Sequence, residues 1–313
     1  MSNFLFIIDP IETLHVETDT TLCIMRGAQK RGHNVWYCHI NELMINEGMP
    51  MAQARIYGKN DPSKAIRLDE MNVIFMRKDP PVDQDYITAT HLLSLVDKTK
   101  TRVINDPTAL REYNEKLIIF RFPQYIVPTT VSANADELRN FIKTHKTAVI
   151  KPINEFGGRG VFILKEGDSN ITPLIEMMTL HGKKSVIIQK YIPEVSEGDT
   201  RVLVLNGKIL GAQKRLAVSG EHRSNISSGG NSSQGELTKL EQEMCSGIAA
   251  ELKKMGITFA GIDVIGGYVT EINITSPTGL VKMNEHDHAH YEEDVITYLE
   301  ELSAGKNISH LLG

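Results

Sequence analysis

The chain has 313 residues, a formal net charge of −5, 41% hydrophobic and 23% charged residues. These proportions are those of a globular protein and exclude a disordered or fibrous one, and the length suits about two domains. A mildly acidic balance with no block of lysine and arginine excludes nucleic acid as the main partner.

The first element is the apolar run Phe4 to Asp9, which predicts a strand. It is far short of the ~20 residues of a membrane span. With no basic segment before it and Asp9 interrupting it, it does not read as a secretory signal. A helix over Asp19 to Arg31, a strand over Asn34 to His39 and a strand over Val73 to Arg77 follow. This βαβ patterning predicts an α/β fold with a parallel sheet. Between Asn41 and Asp69 the pattern dissolves, and the stretch reads as an irregular insertion without chemistry. Pro80 and Pro81 then open a loop before a helix over Gln84 to Asp97. That loop leaves the carboxyl end of a parallel strand, where ligands gather, so Met76 to Asp83 is either a rim of the site or an ordinary βα turn.

A second unit begins near Asn114-Glu115-Lys116 and carries short strands at Thr147 to Lys151, Val161 to Leu164 and Val186 to Gln189. From Pro193 onwards, Thr200 to Leu205 and Lys208 to Lys214 form a hairpin around Asn206-Gly207, a type I′ turn signal. Ser219 to Gly235, rich in Gly, Ser and Asn, reads as a mobile loop. A helix over Leu237 to Met255 and a second hairpin over Phe259 to Ile274 complete the unit. Cys23, Cys38 and Cys245 form an odd set without metal spacing, which fits reduced thiols in a cytoplasmic protein.

Four constellations can carry chemistry. Lys151 at a strand end precedes a hairpin containing Gly157, Gly158 and Gly160. A cation beside backbone N–H groups unscreened by Cβ atoms describes a phosphate cradle, and the same residues also make a plain turn. Gln189-Lys190-Tyr191-Ile192-Pro193 takes a buried strand into an extended segment that either reads a purine edge or hinges two domains.

Asp263 and the pair Glu271 and Asn273 form the third. Glu271 and Asn273 are two apart on a strand and so share a face, offering hard oxygens suited to Mg²⁺. A three-residue turn ending in a bulge is expected to put Asp263 on that face too. Arg201, Arg215 and Arg223 are bidentate partners for carboxylate or phosphate, with Asp199 two residues before Arg201 on the same strand face. His286 and His290, at helical spacing, lack a third ligand and read as part of an amphipathic helix.

In this order, a lysine before a domain change, a lysine with a glycine-rich hairpin, a strand-to-hinge segment and Asp…Glu-x-Asn resemble the ATP-grasp carboxylate–amine ligases. Ile8-Asp9-Pro10-Ile11, Met76-Arg77-Lys78-Asp79-Pro80-Pro81, Asn114-Glu115-Lys116-Leu117, Arg201-Val202-Leu203-Val204 and Thr270 through Pro277 are similar to the bacterial glutathione synthetase family. The resemblance runs from the N-terminus to about Tyr298. It implies an N-terminal α/β domain over 1–115, a central lid over 116–192 and a C-terminal catalytic domain over 193–313 with a mobile loop at 219–235.

It also implies the reaction: ATP phosphorylates the cysteinyl carboxylate of γ-glutamylcysteine, and the amine of glycine attacks the acyl phosphate. The roles it implies place Lys116, Lys151, Gly157 and Gly158 on phosphates, and Gln189, Lys190, Tyr191, Ile192 and Asp199 on adenosine. Asp263, Glu271 and Asn273 hold Mg²⁺, with Mn²⁺ as a substitute. Arg201, Arg215 and Arg223 are catalytic, and Asp79, Arg223, Asn273 and Ser276 contact substrate. The family also suggests a homo-oligomer, for which no sequence feature here shows an interface. The chain departs from the family's loop at Ser219 to Ile226 and from its usual continuation at Gly279-Leu280-Val281-Lys282. Both stretches lie where the acceptor binds, and they leave open a related ligase with a different amino acid or peptide acceptor.

Overall fold

The computed structural model describes residues 1–216 and 231–305. Its first part is built from β1 (Asn3–Ile7), α1 (Thr20–Lys30), β2 (Asn34–Cys38), β3 (Leu43–Asn46), β4 (Met49–Ile56), β5 (Lys64–Arg67), β6 (Val73–Met76), α2 (Gln84–Leu93), β7 (Arg102–Ile104) and α3 (Pro107–Glu112). The strands β2, β1, β6 and β7 are parallel neighbours, as the βαβ pattern predicts. Residues of β1 and β6 are buried almost throughout because helices cover both faces. Asp19 starts α1 by accepting from the Leu22 N–H.

The stretch expected to be irregular is instead an antiparallel meander of β3, β4 and β5. Glu47 and Gly48, both with positive φ, form the two-residue turn joining β3 to β4. The burial of β4 alternates for most of its length, since only one face is covered. That weak apolar signal, with Pro50 inside the strand, hid it. The helix α2 also stops earlier than expected, at Leu93.

The second part contains β8 (Thr129–Ser132), α4 (Ala135–His145), β9 (Thr147–Pro152), β10 (Phe162–Lys165), α5 (Ile171–Met178) and β11 (Val186–Lys190). Its four strands pair antiparallel in the order β10-β9-β11-β8. Leu138 and Ile142 of α4 and Ile175 of α5 pack on Ile150 and Ile188 to close a small separate core.

The third part comprises β12 (Asp199–Leu205), β13 (Lys208–Leu216), β14 (Asn231–Gln234), α6 (Lys239–Lys254), β15 (Phe259–Ile265), β16 (Tyr268–Asn273), α7 (Leu280–Asp287) and α8 (Tyr291–Ser303). Its strand order is β14-β13-β12-β15-β16. Leu205 pairs with Lys208 around Asn206 and Gly207, both with positive φ, so this hairpin turn is the expected one. The segment 231–234, expected within a mobile loop, is a strand paired with β13; residues 219–230 of that expected loop lie outside the described residues. Finally, α8 returns to the first part and packs on α1, where Ile296 fills the space that a Cβ at Gly27 would need. The first and third sheets therefore share one apolar cluster, including Phe6, Ile24, Phe259 and Leu299.

Candidate active site

A cavity of about 580 Å³ opens between the β8–β11 sheet and the β12–β16 sheet. Val149, Lys151 and Ile163 form its upper wall, the extended segment Gln189 to Ile192 its back, and Asp79, Ser276 and Thr278 one end. Its floor is charged and follows from strand register. Asp199 of β12 stands opposite Arg215 of β13, and Arg201 opposite Asp263 of β15.

These four side chains are buried and bonded to one another. Arg201 donates from Nε to Asp263 Oδ1 at 2.6 Å and from a terminal nitrogen to Oδ2 at 2.7 Å. Arg215 bridges both acids, bonding Asp199 and lying 3.1 Å from Asp263 Oδ2. Burial pushes the Asp263 carboxyl up, but Arg201 and Arg215 overcome it and hold it far below the ordinary carboxylate range. The same acids more than offset the burial of Arg215 and hold its guanidinium firmly charged.

Asp263 faces Glu271 directly, as expected, though for a different reason. The turn is the two-residue Gly266-Gly267, not a three-residue one, because Ile265 pairs with Tyr268. The extra residue is Thr270, bulged out of β16 between the Val264–Val269 and Asp263–Glu271 pairs. Its hydroxyl bonds back to Asp263 O at 3.3 Å. Asn273, on the same face as Glu271, gives its Nδ2 to Asp263 Oδ2 at 3.1 Å.

Two lysines reach this floor from the opposite side. Lys116 lies 3.2 Å from Glu271 Oε1 and also bonds the carbonyl of Glu155. Lys151 donates to Thr270 O at 3.2 Å; burial pulls its pKa below the usual lysine value, with Glu271 opposing. Next to them, Gly157, Gly158 and Gly160 have positive φ in the turn between β9 and β10, and Gly157 and Gly158 line the cavity. At the back, Gln189 turns its amide to Thr129 Oγ1 at 3.2 Å. The N–H groups of Lys190 and Tyr191 bond Pro128 O and Thr147 O, so they are not available to a purine.

The end formed by the first sheet carries Asp79. Burial raises its pKa, partly offset by a bond from the Ser276 hydroxyl, and Asp9 adds to the rise. Three residues without an assigned role in the sequence reading also belong to this neighbourhood. Arg77 is fully buried between the Phe75 and Phe259 rings and donates to Thr21 Oγ1 and to Pro277 O at 2.8 Å, fixing the loop that carries Ser276. Burial lowers its pKa to about 10. Glu115 accepts from the N–H groups of Ile274 and Thr275 and from the Thr275 hydroxyl through one oxygen. Gln213 lies buried opposite Arg201. Arg77 and Glu115 stand inside motifs that were legible as stretches, but only packing reveals what they hold.

As a metal site, Glu271 and Asn273 offer hard oxygens on one face, with Asp263 opposite Glu271. This donor set fits a hard divalent cation that keeps water or phosphate in its remaining positions. Among the described residues there is no group of three or more His, Cys, Asp or Glu arranged for a metal. His286 bonds Ser232, His288 closes α7 in the left-handed conformation, and His290 precedes α8, so the histidines do not share a helix face. Arg223 lies outside the described residues.

Residues 2–111 match the family described as the prokaryotic glutathione synthetase N-terminal domain, and residues 115–288 that described as the prokaryotic glutathione synthetase ATP-grasp domain. The chain is 39% identical to a glutathione synthetase from a Nostoc species over 94% of this chain and 97% of that one. It is 38% identical to one from Neisseria meningitidis over 89% and 92%. Among solved structures it resembles D-cycloserine synthetase DcsG, with a TM-score of 0.69 at 15% identity, covering 95% of this chain and 99% of that one. It also resembles the ATP-grasp ligase PsnB, with a TM-score of 0.66 at 14% identity, covering 96% and 100%. The fold is thus that of ATP-grasp ligases, and the chain belongs to the prokaryotic glutathione synthetase family.

Proposed function

We propose that this chain joins γ-glutamylcysteine to glycine at the expense of ATP, giving glutathione, ADP and phosphate. The observation that carries the reading is the meeting of Lys116 and Lys151 with Glu271 and Thr270 across the cavity. Phosphoryl transfer asks a protein mainly for positioning and charge neutralisation, which such a meeting point supplies.

In this reading Lys116, Lys151 and the backbone at Gly157 and Gly158 hold the phosphates. The segment Gln189 to Ile192, with Asp199, holds the adenosine. Asp263, Glu271 and Asn273 hold Mg²⁺, or Mn²⁺ in its place, and the ion neutralises phosphate charge when bound. Arg201, Arg215 and Arg223 orient the donor carboxylate, and Asp79 and Ser276 contact the peptide. The donor carboxylate oxygen bonds to the γ-phosphorus as ADP leaves. The acceptor amine then bonds to the acyl carbon, phosphate leaves, and the amine gives up a proton. Closure of the β8–β11 part over the floor keeps water from the acyl phosphate. The chain works as a cytoplasmic homo-oligomer, divided near residues 115 and 192; light scattering tests the assembly.

The test of the reaction is ADP release with ATP, Mg²⁺ and γ-glutamylcysteine, with and without glycine, and identification of the product by mass. Turnover that requires both amino substrates and yields glutathione supports it. Turnover only with another amine acceptor moves the assignment to a related ligase, and no turnover in either case overturns it.

A further inference from the structure

Arg77 is only 2% exposed and carries its charge into the core shared by the first and third sheets, between the Phe75 and Phe259 rings. The groups it bonds among the described residues are neutral: Nε donates to Thr21 Oγ1 at 2.9 Å and Nη2 to Pro277 O at 2.8 Å. Its other terminal nitrogen, Nη1, has no hydrogen-bond partner among the described residues. A buried cation bonded to no carboxylate is costly, and an apolar side chain of similar length would fill the same space without that cost. Packing alone therefore does not account for an arginine here.

Its position does. Arg77 directly follows β6 and stands two residues before Asp79, so both leave the same strand end. The carbonyl it grips belongs to Pro277, which lies between Ser276 and Thr278 in the chain. Asp79, Ser276 and Thr278 together line one end of the cavity. The Asp79 side of that end is anchored on its own: the Asp79 N–H donates to Asp9 Oδ2 at 2.8 Å, and Lys78 pairs with Asp9 Oδ1 at 2.9 Å. The facing segment is held at Thr275 by Glu115, and at Leu280 its N–H lies 3.4 Å from Thr20 Oγ1. Between those points Arg201 reaches Thr278 O at 3.4 Å, so the bond from Arg77 to Pro277 O is the shorter hold. A guanidinium is planar with donors fixed in direction, and gripping Thr21 and Pro277 at once leaves this segment little freedom.

We infer that Arg77 is a positioning residue for the peptide substrate: without touching it, Arg77 sets the separation of Asp79 from Ser276 and Thr278 across the end of the cavity. The inference rests on the ligase reading above, in which Asp79 and Ser276 contact the peptide. A misplacement of about 1 Å, made away from the reacting atoms, can cost roughly 100-fold in rate. Losing the hold on Pro277 frees both Ser276 and Thr278 to make such a shift, while the lysines and the glycine turn at the phosphates stay in place.

The experiment measures steady-state kinetics and calorimetric binding of γ-glutamylcysteine in the wild type, Arg77→Met and Arg77→Lys. Arg77→Met fills the space without a donor. Its kcat/KM for the peptide falls roughly 100-fold, mainly through KM, its Kd for the peptide rises in step, and the KM for ATP does not change. Arg77→Lys keeps a cation and one bond, and recovers roughly tenfold of that loss, the worth of one hydrogen bond from a charged group. Neither KM nor Kd depends on the folded fraction of a preparation, and Arg77→Lys gives the answer by itself if Arg77→Met does not fold. Unchanged peptide KM and Kd, an equal rise in the KM for ATP, a rise in the KM for glycine instead of the peptide, or an Arg77→Lys as impaired as a folded Arg77→Met overturns the inference. A wild type that neither binds nor turns over γ-glutamylcysteine overturns the ligase reading itself, before any variant is compared.

Discussion

Glu271 faces Asp263 only because Thr270 is bulged out of the ladder between them and the Gly266-Gly267 turn. Were Thr270 paired in the ladder instead of bulged, Asp263 would face Thr270, and Glu271 and Asn273 would turn to the apolar side of the sheet. The bulge is therefore what converts an ordinary hairpin into a floor with oxygen ligands on one face.

If Glu271 holds the cation, Glu271→Gln keeps its size and loses its charge. Losing a group that only orients a metal ligand already costs roughly 10- to 100-fold in affinity, so a loss of at least about 100-fold is expected here. Titrating Mg²⁺ against ADP release and against nucleotide binding by calorimetry measures it. Unchanged metal dependence in both would remove Glu271 from the ligand set.

Lys151 is buried, and that burial lowers its pKa below the usual lysine value of 10.5. The unfolded chain therefore binds the proton more tightly than the folded one, and stability rises with pH through the window between the lowered value and 10.5. Lys151→Met removes that burden. The variant is expected to melt at the same or a higher temperature without ligand and to lose the stabilisation that nucleotide gives the wild type, about 2.7 kcal/mol at a hundredfold excess over Kd. Thermal melts with and without ATP analogue test both halves. A variant still stabilised by nucleotide would take Lys151 out of the phosphate site.

Asp79 has the opposite sign. Burial raises its pKa above the ordinary 3.8, so the folded state keeps the proton longer than the unfolded chain. The contribution is present in full below 3.8 and is lost as pH rises through the raised value. Asp79→Asn should therefore flatten the stability–pH curve just above the ordinary carboxylate range and leave the protein more stable at neutral pH. If Asp79 also grips the peptide, kcat/KM for the donor falls roughly 10- to 100-fold. Denaturant melts from pH 4 to 8, set beside donor kinetics, separate the two effects; an unchanged donor KM would leave Asp79 with a purely structural part.

Much of this arrangement is legible in the sequence, and what is not has a physical cause. The Asn206-Gly207 turn, the βαβ strands and the grouping of Lys151 with a glycine-rich hairpin depend on neighbours in the chain. The pairing of Asp263 with Glu271 was expected, but from a longer turn, because strand patterning does not say where an extra residue is absorbed. The meander at 43–67 was missed because edge strands covered on one face give little apolar signal. What Arg77 holds is not legible because it arises from long-range packing on Phe259 and bonding to Pro277.

Glu115 shows the same dependence and gives the sharpest stability test. One carboxylate oxygen accepts from Ile274 N–H at 2.8 Å, Thr275 N–H at 2.9 Å and the Thr275 hydroxyl at 2.8 Å, just beyond β16. It thereby ties the start of the segment leading to Lys116 onto the strand that carries Glu271. Burial raises its pKa, with Glu271 adding to the rise and the bonds from Thr275 and Ile274 opposing it. In Glu115→Ala the two buried N–H groups lose their acceptor, at about 1–3 kcal/mol each, so a loss of roughly 2–5 kcal/mol is expected in urea melts. Glu115→Gln retains an acceptor oxygen at little change in volume and should recover most of that stability. If both variants melted like the wild type, the bonds would not anchor this junction; if Glu115→Gln were as unstable as Glu115→Ala, the charge rather than the acceptor would be what the junction needs.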